Sequence, residues 1–279
     1  IGTRMPAAMF KKNMKFVSFL FLLAGAGAAA FGQTVNGIQI TRAELITDAD
    51  DFSKPFTVGI KFILEPDWYL YWKNPGDSGL PIEVQWGLPE SWSVSELQHP
   101  VPAKFAYDNM VSYGYKKEVV LLAIVTPGPD RLDTLNATLD WLVCKESCIR
   151  GKADVSLPLS RNPARAQAMT ILSEARKRLP GSARELSLVP SSVRQRQTKQ
   201  GWEVEVDLTG SEASTVTDFY PESTENILID FSSIRIEKQI LRFELTQQDK
   251  SVVVRSIRGL FIAGDRGYQG VIPVYLKFM

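Results

Sequence analysis

Short alternating strands constrain the fold of this chain more than any other feature of its sequence. In the first half, β-branched and aromatic runs are separated by the turn-forming stretches NPGDSG (74–79) and PGPD (127–130). The runs are GIQITRAELI (37–46), PFTVGIKFIL (55–64), PIEVQW (81–86), VVLLAIV (119–125) and ATLDWLV (137–143). Because no helical pattern lies between them, they predict an antiparallel β-sandwich over 33–160 rather than a parallel sheet.

One helix is predicted after this sandwich. Asn162 can cap it, Pro163 suits its first position, and Pro180 with Gly181 ends it. The apolar residues that recur on one face are Ala168, Ile171, Leu172, Ala175 and Leu179. Residues 182–200 are rich in Ser, Arg and Gln and predict a linker.

Strand patterning resumes beyond the linker. The runs are WEVEVDL (202–208), ILIDF (227–231), ILRFEL (240–245), SVVVRSI (251–257) and GVIPVYLKF (270–278). They predict a second β-sandwich over 201–279. The chain is therefore expected to be all-β, with two antiparallel sandwiches joined by a helix and linker at 161–200.

Residues 1–32 have the pattern of a secretory signal peptide. Three lysines precede the apolar run 16–23, and small residues follow it. We expect cleavage after Gly32, with Met14 as the start of translation and residues 1–13 as gene-model overrun. An uncleaved anchor is the alternative, although the apolar run is short for a membrane span.

Charge excludes several classes of partner. Without residues 1–32 the chain carries 28 basic and 31 acidic residues, a formal charge of −3. An exported, faintly acidic protein without a basic block is a poor candidate for binding nucleic acid or anionic lipid. No later segment approaches 18 consecutive apolar residues, so we expect the mature protein to be soluble. No cofactor is expected.

The two cysteines, Cys144 and Cys148, are the candidate functional pair. If Lys145, Glu146 and Ser147 turn the chain, the cysteines become cross-strand neighbours within disulfide reach. A bridge that closes such a short loop contributes only about 2 kcal/mol in the chain-entropy model. This small gain favours a reactive disulfide but leaves a structural bridge open.

The sequence offers few ligands for a metal and no second histidine for hydrolysis. The chain has a single histidine, His99, which is too few ligands for a tetrahedral zinc site and argues against a His-dependent hydrolase. Two thiolates would suit Cu(I), with His99 or Met110 as a third ligand. In QHPVP, however, His99 is more typical of a surface turn, and no metal site is predicted.

Aromatic residues form the other cluster. In WYLYW (68–72), Trp68 and Trp72 are interpreted as core residues. Tyr113 and Tyr115, in SYGY, are candidates for shielding a reactive sulfur from solvent oxidants.

Several motifs together resemble one family. DWYLYWKNPGDSGLP (67–81), VSYGY (111–115), WLVCKESCI (141–149) with LPLS (157–160), and EARKRLP (174–180) are similar to the amino-terminal periplasmic region of DsbD-type thiol:disulfide interchange proteins, especially the ScsB-like branch. The likeness is fainter in DFYPES and GDRGYQGVIPVYL. The resemblance implies immunoglobulin-like domains, a periplasmic location and a redox-active pair, Cys144 and Cys148.

The resemblance also implies roles and partners. The stretch from Tyr107 to Tyr115, which includes Met110, would match a cap loop over the cysteines, and Cys148 would be the partner-facing sulfur. Electrons would come from a membrane-embedded DsbD-type donor and pass to periplasmic thioredoxin-like or disulfide isomerase proteins, with cytochrome c maturation as one such pathway. The alternatives are a non-catalytic binding module with a structural disulfide, and a Cu(I)-binding protein.

Overall fold

The computed structural model describes residues 31–35, 38–160, 164–249 and 251–277, with side-chain environments from residue 40 onward. Residues 1–30 of the expected signal peptide and the expected helix cap, Asn162 and Pro163, lie outside this description. Eleven strands form the first half: β1 (Phe31–Val35), β2 (Ile38–Thr47), β3 (Phe56–Leu64), β4 (Tyr69–Gly76), β5 (Glu83–Gly87), β6 (Ser93–Val94), β7 (Ala103–Tyr107), β8 (Met110–Lys116), β9 (Glu118–Thr126), β10 (Thr134–Cys144) and β11 (Cys148–Pro158).

These strands build the first sandwich. One sheet has the order β1-β2-β3-β9-β6, and the other has the order β11-β10-β4-β8-β7, with β5 paired to β10. Alternate residues point into a shared core, where the Phe62 ring meets the Trp141 ring edge-on at 5.4 Å. Trp72 is also in this core, as its sequence context predicted, and Trp68 packs against it half-buried.

The helix α1 (Arg165–Lys177) packs on the outer face of the first sheet. Its buried residues Ala168, Leu172 and Ala175 lie on the predicted face, and Leu172 and Ala175 share a small core with Val120 and Leu122 of β9. Arg176 also forms an ion pair with Asp48, with 3.0 Å between Nη2 and Oδ2. The helix therefore covers the first sandwich instead of bridging open space.

Eight strands form the second sandwich: β12 (Gly181–Ser182), β13 (Val189–Gln197), β14 (Trp202–Thr209), β15 (Val216–Pro221), β16 (Ile227–Glu237), β17 (Ile240–Gln247), β18 (Val254–Ala263) and β19 (Arg266–Leu276). The sheets are β12-β19-β18-β15 and β13-β14-β17-β16, and the ladders described are antiparallel apart from the two-residue pair β12–β19. Phe219 and Phe243 stack across the core, with ring centroids 6.2 Å apart.

The expected linker at 182–200 is wrong for residues 189–197, because they form strand β13 and pair with β14. This edge strand has few apolar residues, and its guanidinium groups instead bind acidic side chains of β14: Arg194 with Glu205 and Asp207, and Arg196 with Glu203. Edge strands commonly carry such charges, so apolar alternation alone did not identify it.

The two sandwiches share a packed interface. Tyr220, Leu260 and Ile262 of the second sandwich belong to the hydrophobic core of the first. The Tyr113 ring of β8 lies 4.7 Å from the Tyr220 ring, and Lys73 forms an ion pair with Glu222 at 2.7 Å. Among the described residues, no helix is long and apolar enough to cross a membrane.

Candidate functional site

The β10–β11 hairpin brings the two cysteines together. Cys144 ends β10, Cys148 begins β11, and the two residues are directly paired across the ladder. Their sulfurs form a disulfide, and their Cα atoms are 4.1 Å apart. The intervening turn is closed by the Lys145 amide, which donates to the Ser147 carbonyl at 3.3 Å. The turn predicted from the sequence is therefore the one that forms.

The two sulfurs differ in exposure. Cys144 is 1% exposed, whereas Cys148 is an exposed residue. Alternation along β10 directs Val143 and Trp141 into the core and Cys144 to the opposite side, where solvent would be expected. Cys144 is buried there because other side chains cover it. A thiolate from outside can reach Cys148 more easily than Cys144.

Tyr71 of β4 provides much of that cover. Its hydroxyl donates a hydrogen bond to Cys144 Sγ at 3.1 Å and lies 3.7 Å from Cys148 Sγ. The Tyr69 ring meets the Tyr71 ring edge-on at 5.2 Å. Burial, followed by the hydrogen bond with Tyr69, raises the pKa of Tyr71 well above its usual range. The phenol therefore stays protonated at neutral pH and remains a hydrogen-bond donor to sulfur.

The β7–β8 hairpin forms another wall of the cavity that contains the disulfide. The cavity has a volume of about 570 Å³. Its lining includes Phe105, Tyr107, Met110, Ser112 and Lys116 from the hairpin, together with Tyr69, Tyr71 and both cysteines. Tyr107 and Met110, at the hairpin tip, are 75% and 51% exposed. The stretch expected to be a cap loop thus belongs to a β-hairpin, and its two tip side chains line the cavity.

Tyr113 and Tyr115 do not line this cavity. Even-numbered residues of β8 face the cysteines, and odd-numbered residues face the core, so both tyrosines are buried on the opposite side of the sheet. The Tyr115 hydroxyl donates to the Pro100 carbonyl at 2.8 Å. The expectation that these two residues shield the sulfurs is therefore wrong, because both face away from the disulfide. The same alternation in YLYW identifies Tyr69 and Tyr71, which the sequence interpretation missed.

Charged residues around the disulfide are largely paired. Arg150 donates two hydrogen bonds to Asp140, at 2.8 and 2.7 Å, and this interaction lowers the pKa of Asp140. Lys145, at the cavity rim, forms an ion pair with Asp67 at 3.2 Å. Arg150 and Lys145 thus carry compensating carboxylates, and the Tyr71 hydroxyl is a donor in contact with sulfur.

The arrangement offers little to a metal ion. His99 lines a separate cavity of about 390 Å³ between the sandwiches, beside Lys73 and Leu260, and it is half-buried, not a surface turn residue. Met110 lines the cysteine cavity. Over the described ranges, no three His, Cys, Asp or Glu side chains are grouped as metal ligands would be. The structure does not bring His99 to the thiols as a third Cu(I) ligand.

Comparison with known proteins agrees with this geometry. Residues 42–160 match the family model for the thiol:disulfide interchange protein DsbD, N-terminal. The N-terminal periplasmic domain of ScsB from Proteus mirabilis aligns with a TM-score of 0.67 and 17% identity, covering 90% of this chain and 99% of that one. That likeness shows a shared fold across both sandwiches.

A second solved structure is less similar. The reduced DsbD n-terminal domain of Neisseria meningitidis aligns with a TM-score of 0.28 and 14% identity, covering 43% of this chain and 85% of that one.

No curated protein sequence matched the chain. The family match spans the strands that carry Tyr71, the β7–β8 hairpin and both cysteines, and residues 42–160 are therefore similar to DsbD-type amino-terminal domains.

Proposed function

We propose that this protein is a periplasmic electron relay that uses the Cys144–Cys148 pair for reversible thiol–disulfide exchange. The observation that carries the proposal is the unequal environment of the two sulfurs. Cys148 is exposed at the turn of a hairpin, whereas Cys144 is buried and accepts a hydrogen bond from Tyr71. A bridge with only a structural role would need neither this asymmetry nor the cavity over it.

Reduction of the pair begins at Cys148. A donor thiolate attacks Cys148 Sγ, the Cys144–Cys148 bond breaks, and Cys144 leaves as a thiolate. The Tyr71 hydroxyl, 3.1 Å from Cys144 Sγ, stabilises the developing charge because hydrogen bonds to ionised acceptors are stronger than neutral ones. The donor's second thiol then attacks its own mixed disulfide and releases Cys148. The pair has gained two electrons, and the donor is now a disulfide.

Transfer to the acceptor reverses these steps. The Cys148 thiolate attacks the acceptor's disulfide and forms a mixed disulfide, and one acceptor sulfur leaves as a thiolate. Cys144 then attacks Cys148 Sγ, restores the internal disulfide and releases the reduced acceptor. Cys148 is the partner-facing residue in both directions, and Cys144 resolves the intermediate.

The partners follow from the same chemistry. Both must present a dithiol or disulfide on a surface that fits over an exposed hairpin turn. We assign the donor role to a membrane-embedded DsbD-type protein and the acceptor role to thioredoxin-like or disulfide isomerase proteins of the periplasm, including those that serve cytochrome c maturation. The leader-like residues 1–32 and the periplasmic origin of the similar ScsB domain support that location.

Trapping of mixed disulfides tests the proposal. Cys144→Ala leaves Cys148 without its resolving partner and should accumulate mixed disulfides with periplasmic thiol proteins, whereas Cys148→Ala should accumulate few or none. The complexes are separated on a non-reducing gel and identified by mass spectrometry. Equal trapping by both variants would contradict the assigned roles, and trapping by neither would contradict the relay.

The reduction potential separates the relay from the alternative of an inert binding module. A working couple should titrate above about −300 mV against a glutathione or dithiothreitol series, because structural bridges lie below that value. A lower value would favour the structural bridge.

A further inference from the structure

One segment of the first sandwich, residues 74–79, contacts the second sandwich, the β7–β8 hairpin and Tyr71. Its sequence, NPGDSG, gives only a turn signal. In the structure its beginning belongs to β4, and its far end runs beside the disulfide cavity, where Ser78 is part of the lining. The segment therefore lies between the domain interface and the redox site.

Asn74 anchors the segment to the second sandwich. The side chain is buried at 5% exposure, and its Nδ2 donates to the carbonyl of Pro221 at 2.7 Å. The other amide atom, Oδ1, accepts a hydrogen bond from the Gly76 amide at 3.2 Å. One carboxamide thus fixes both the position of the segment against β15 and the local turn of its backbone.

Asp77 anchors the segment to the hairpin. Its Oδ2 accepts a hydrogen bond from the Val111 amide at 2.6 Å, and its own amide donates to the Val111 carbonyl at 2.8 Å. Gly76, at φ +89°, approaches so closely that a Cβ would collide with that carbonyl. Val111 follows Met110 directly, so this contact lies next to the hairpin tip over the cysteines.

Gly79 and Ser78 connect the segment to Tyr71. Gly79 adopts φ +110°, and a Cβ there would collide with the Tyr71 ring. A side-chain hydrogen bond with Ser78 also acts to lower the pKa of Tyr71, against the larger effect of burial. The backbone of the segment therefore packs on the ring whose hydroxyl contacts Cys144.

We propose that Asn74 and Asp77 are positioning residues, through which the second sandwich holds the 74–79 segment against both the β7–β8 hairpin and Tyr71. Docking of the second sandwich thereby controls access of incoming thiolates to Cys148. This assigns the second sandwich a part in the redox site although none of its described residues lines the cavity. The biological meaning of this inference rests on the proposed relay. The contacts themselves concern only how easily a thiolate reaches Cys148.

The test is the rate of reduction of the native disulfide by dithiothreitol. One dithiothreitol thiolate attacks Cys148 and displaces the Cys144 thiolate, and its second thiol then displaces Cys148 to give the cyclic disulfide. Asp77→Ala and Asn74→Ala should each raise the second-order rate constant by about tenfold, the factor that corresponds to losing one hydrogen bond to a charged or buried group.

Two controls separate positioning from general loss of stability. Asp77→Asn keeps an oxygen that accepts from the Val111 amide, so its rate should stay within about twofold of wild type. Val206→Ala shortens a buried side chain of the second core, and it should lower the melting temperature without changing the rate.

The outcomes are distinct for the two proposals. Rates for both alanine variants within twofold of wild type, or an equal acceleration by Val206→Ala, would overturn the positioning role. Accelerated reduction together with absent mixed-disulfide trapping would leave the positioning role standing and contradict the relay.

Discussion

Tyr71 and Tyr113 lie on adjacent strands of one sheet, both are almost fully buried, and yet they belong to different parts of the molecule. Tyr71 faces the disulfide, and its hydroxyl donates to Cys144 Sγ. Tyr113 faces the core and packs against Trp72, Tyr220 and Phe231, and its hydroxyl has no hydrogen-bond partner among the described residues. Burial and residue type alone do not identify a functional tyrosine. The face of the strand and the partner of the hydroxyl do.

The largest expected effect on stability comes from replacing Tyr113, on the core side of the sheet. Tyr113→Ala should lower the free energy of unfolding by about 3–5 kcal/mol, the range for deleting a buried aromatic ring. Tyr113→Phe keeps the ring and removes an unpartnered hydroxyl, so it should be nearly neutral or slightly stabilising. Urea unfolding of the three proteins measures both effects. A large loss in Tyr113→Phe would mean that the hydroxyl makes a stabilising hydrogen bond in the folded protein.

His99, in the cavity between the sandwiches, should make the stability of the protein depend on pH. Burial, followed by the nearby charge of Lys73, lowers the pKa of His99 from 6.5 to about 4. The folded state therefore resists protonation of His99, and the unfolded state binds more protons between these two values. Stability from this residue is complete above pH 6.5 and falls by about 3 kcal/mol as the pH drops to 4.

Replacing the histidine isolates that contribution. His99→Gln cannot titrate, so its free energy of unfolding should fall less than that of wild type between pH 7 and pH 4. Urea unfolding at several pH values gives the difference between the two proteins. Parallel curves would show that His99 is not held neutral by the folded state.

The disulfide should contribute less to the free energy of unfolding than the buried Tyr113 ring does. The double variant Cys144→Ala, Cys148→Ala should lose only about 2 kcal/mol, because the closed loop is short. A loss above about 5 kcal/mol in chemical unfolding would favour a structural bridge and weaken the contrast between the two faces of the sheet.

The smallest stability effect is expected for Tyr71→Phe, which removes one hydrogen bond to sulfur. The free energy of unfolding should fall by only about 0.5–1.5 kcal/mol, because the ring and its packing remain. In the reduced protein, however, a Cys144 thiolate would lose its donor, and the pKa of that thiol should rise. Thiolate absorbance in a pH titration measures the shift, with Tyr113→Phe as the matched control. An unchanged Cys144 pKa would mean that Tyr71 serves only as packing.

Local sequence patterns predicted much of this architecture. Alternation placed β2, β3, β9 and β10 correctly, and Pro180 and Gly181 coincide with the end of the helical region. Two features were missed because their signals are weak. The edge strand β13 is stabilised by ion pairs, and the Tyr107–Tyr115 stretch, where a loop was expected, forms the tip and second strand of the β7–β8 hairpin. In both cases polar or aromatic residues replace the apolar alternation on which the prediction depended.

The sequence by itself determined the strands with clear apolar alternation and the hairpin that joins Cys144 to Cys148, because both depend on neighbours a few residues apart. Only the tertiary structure decided which side chains surround the disulfide. Tyr71 reaches Cys144 across 73 positions of the chain, and Asn74 reaches Pro221 across 147. These contacts depend on strand order and on docking of the second sandwich, which arise from packing among distant segments and leave no local periodicity in the sequence.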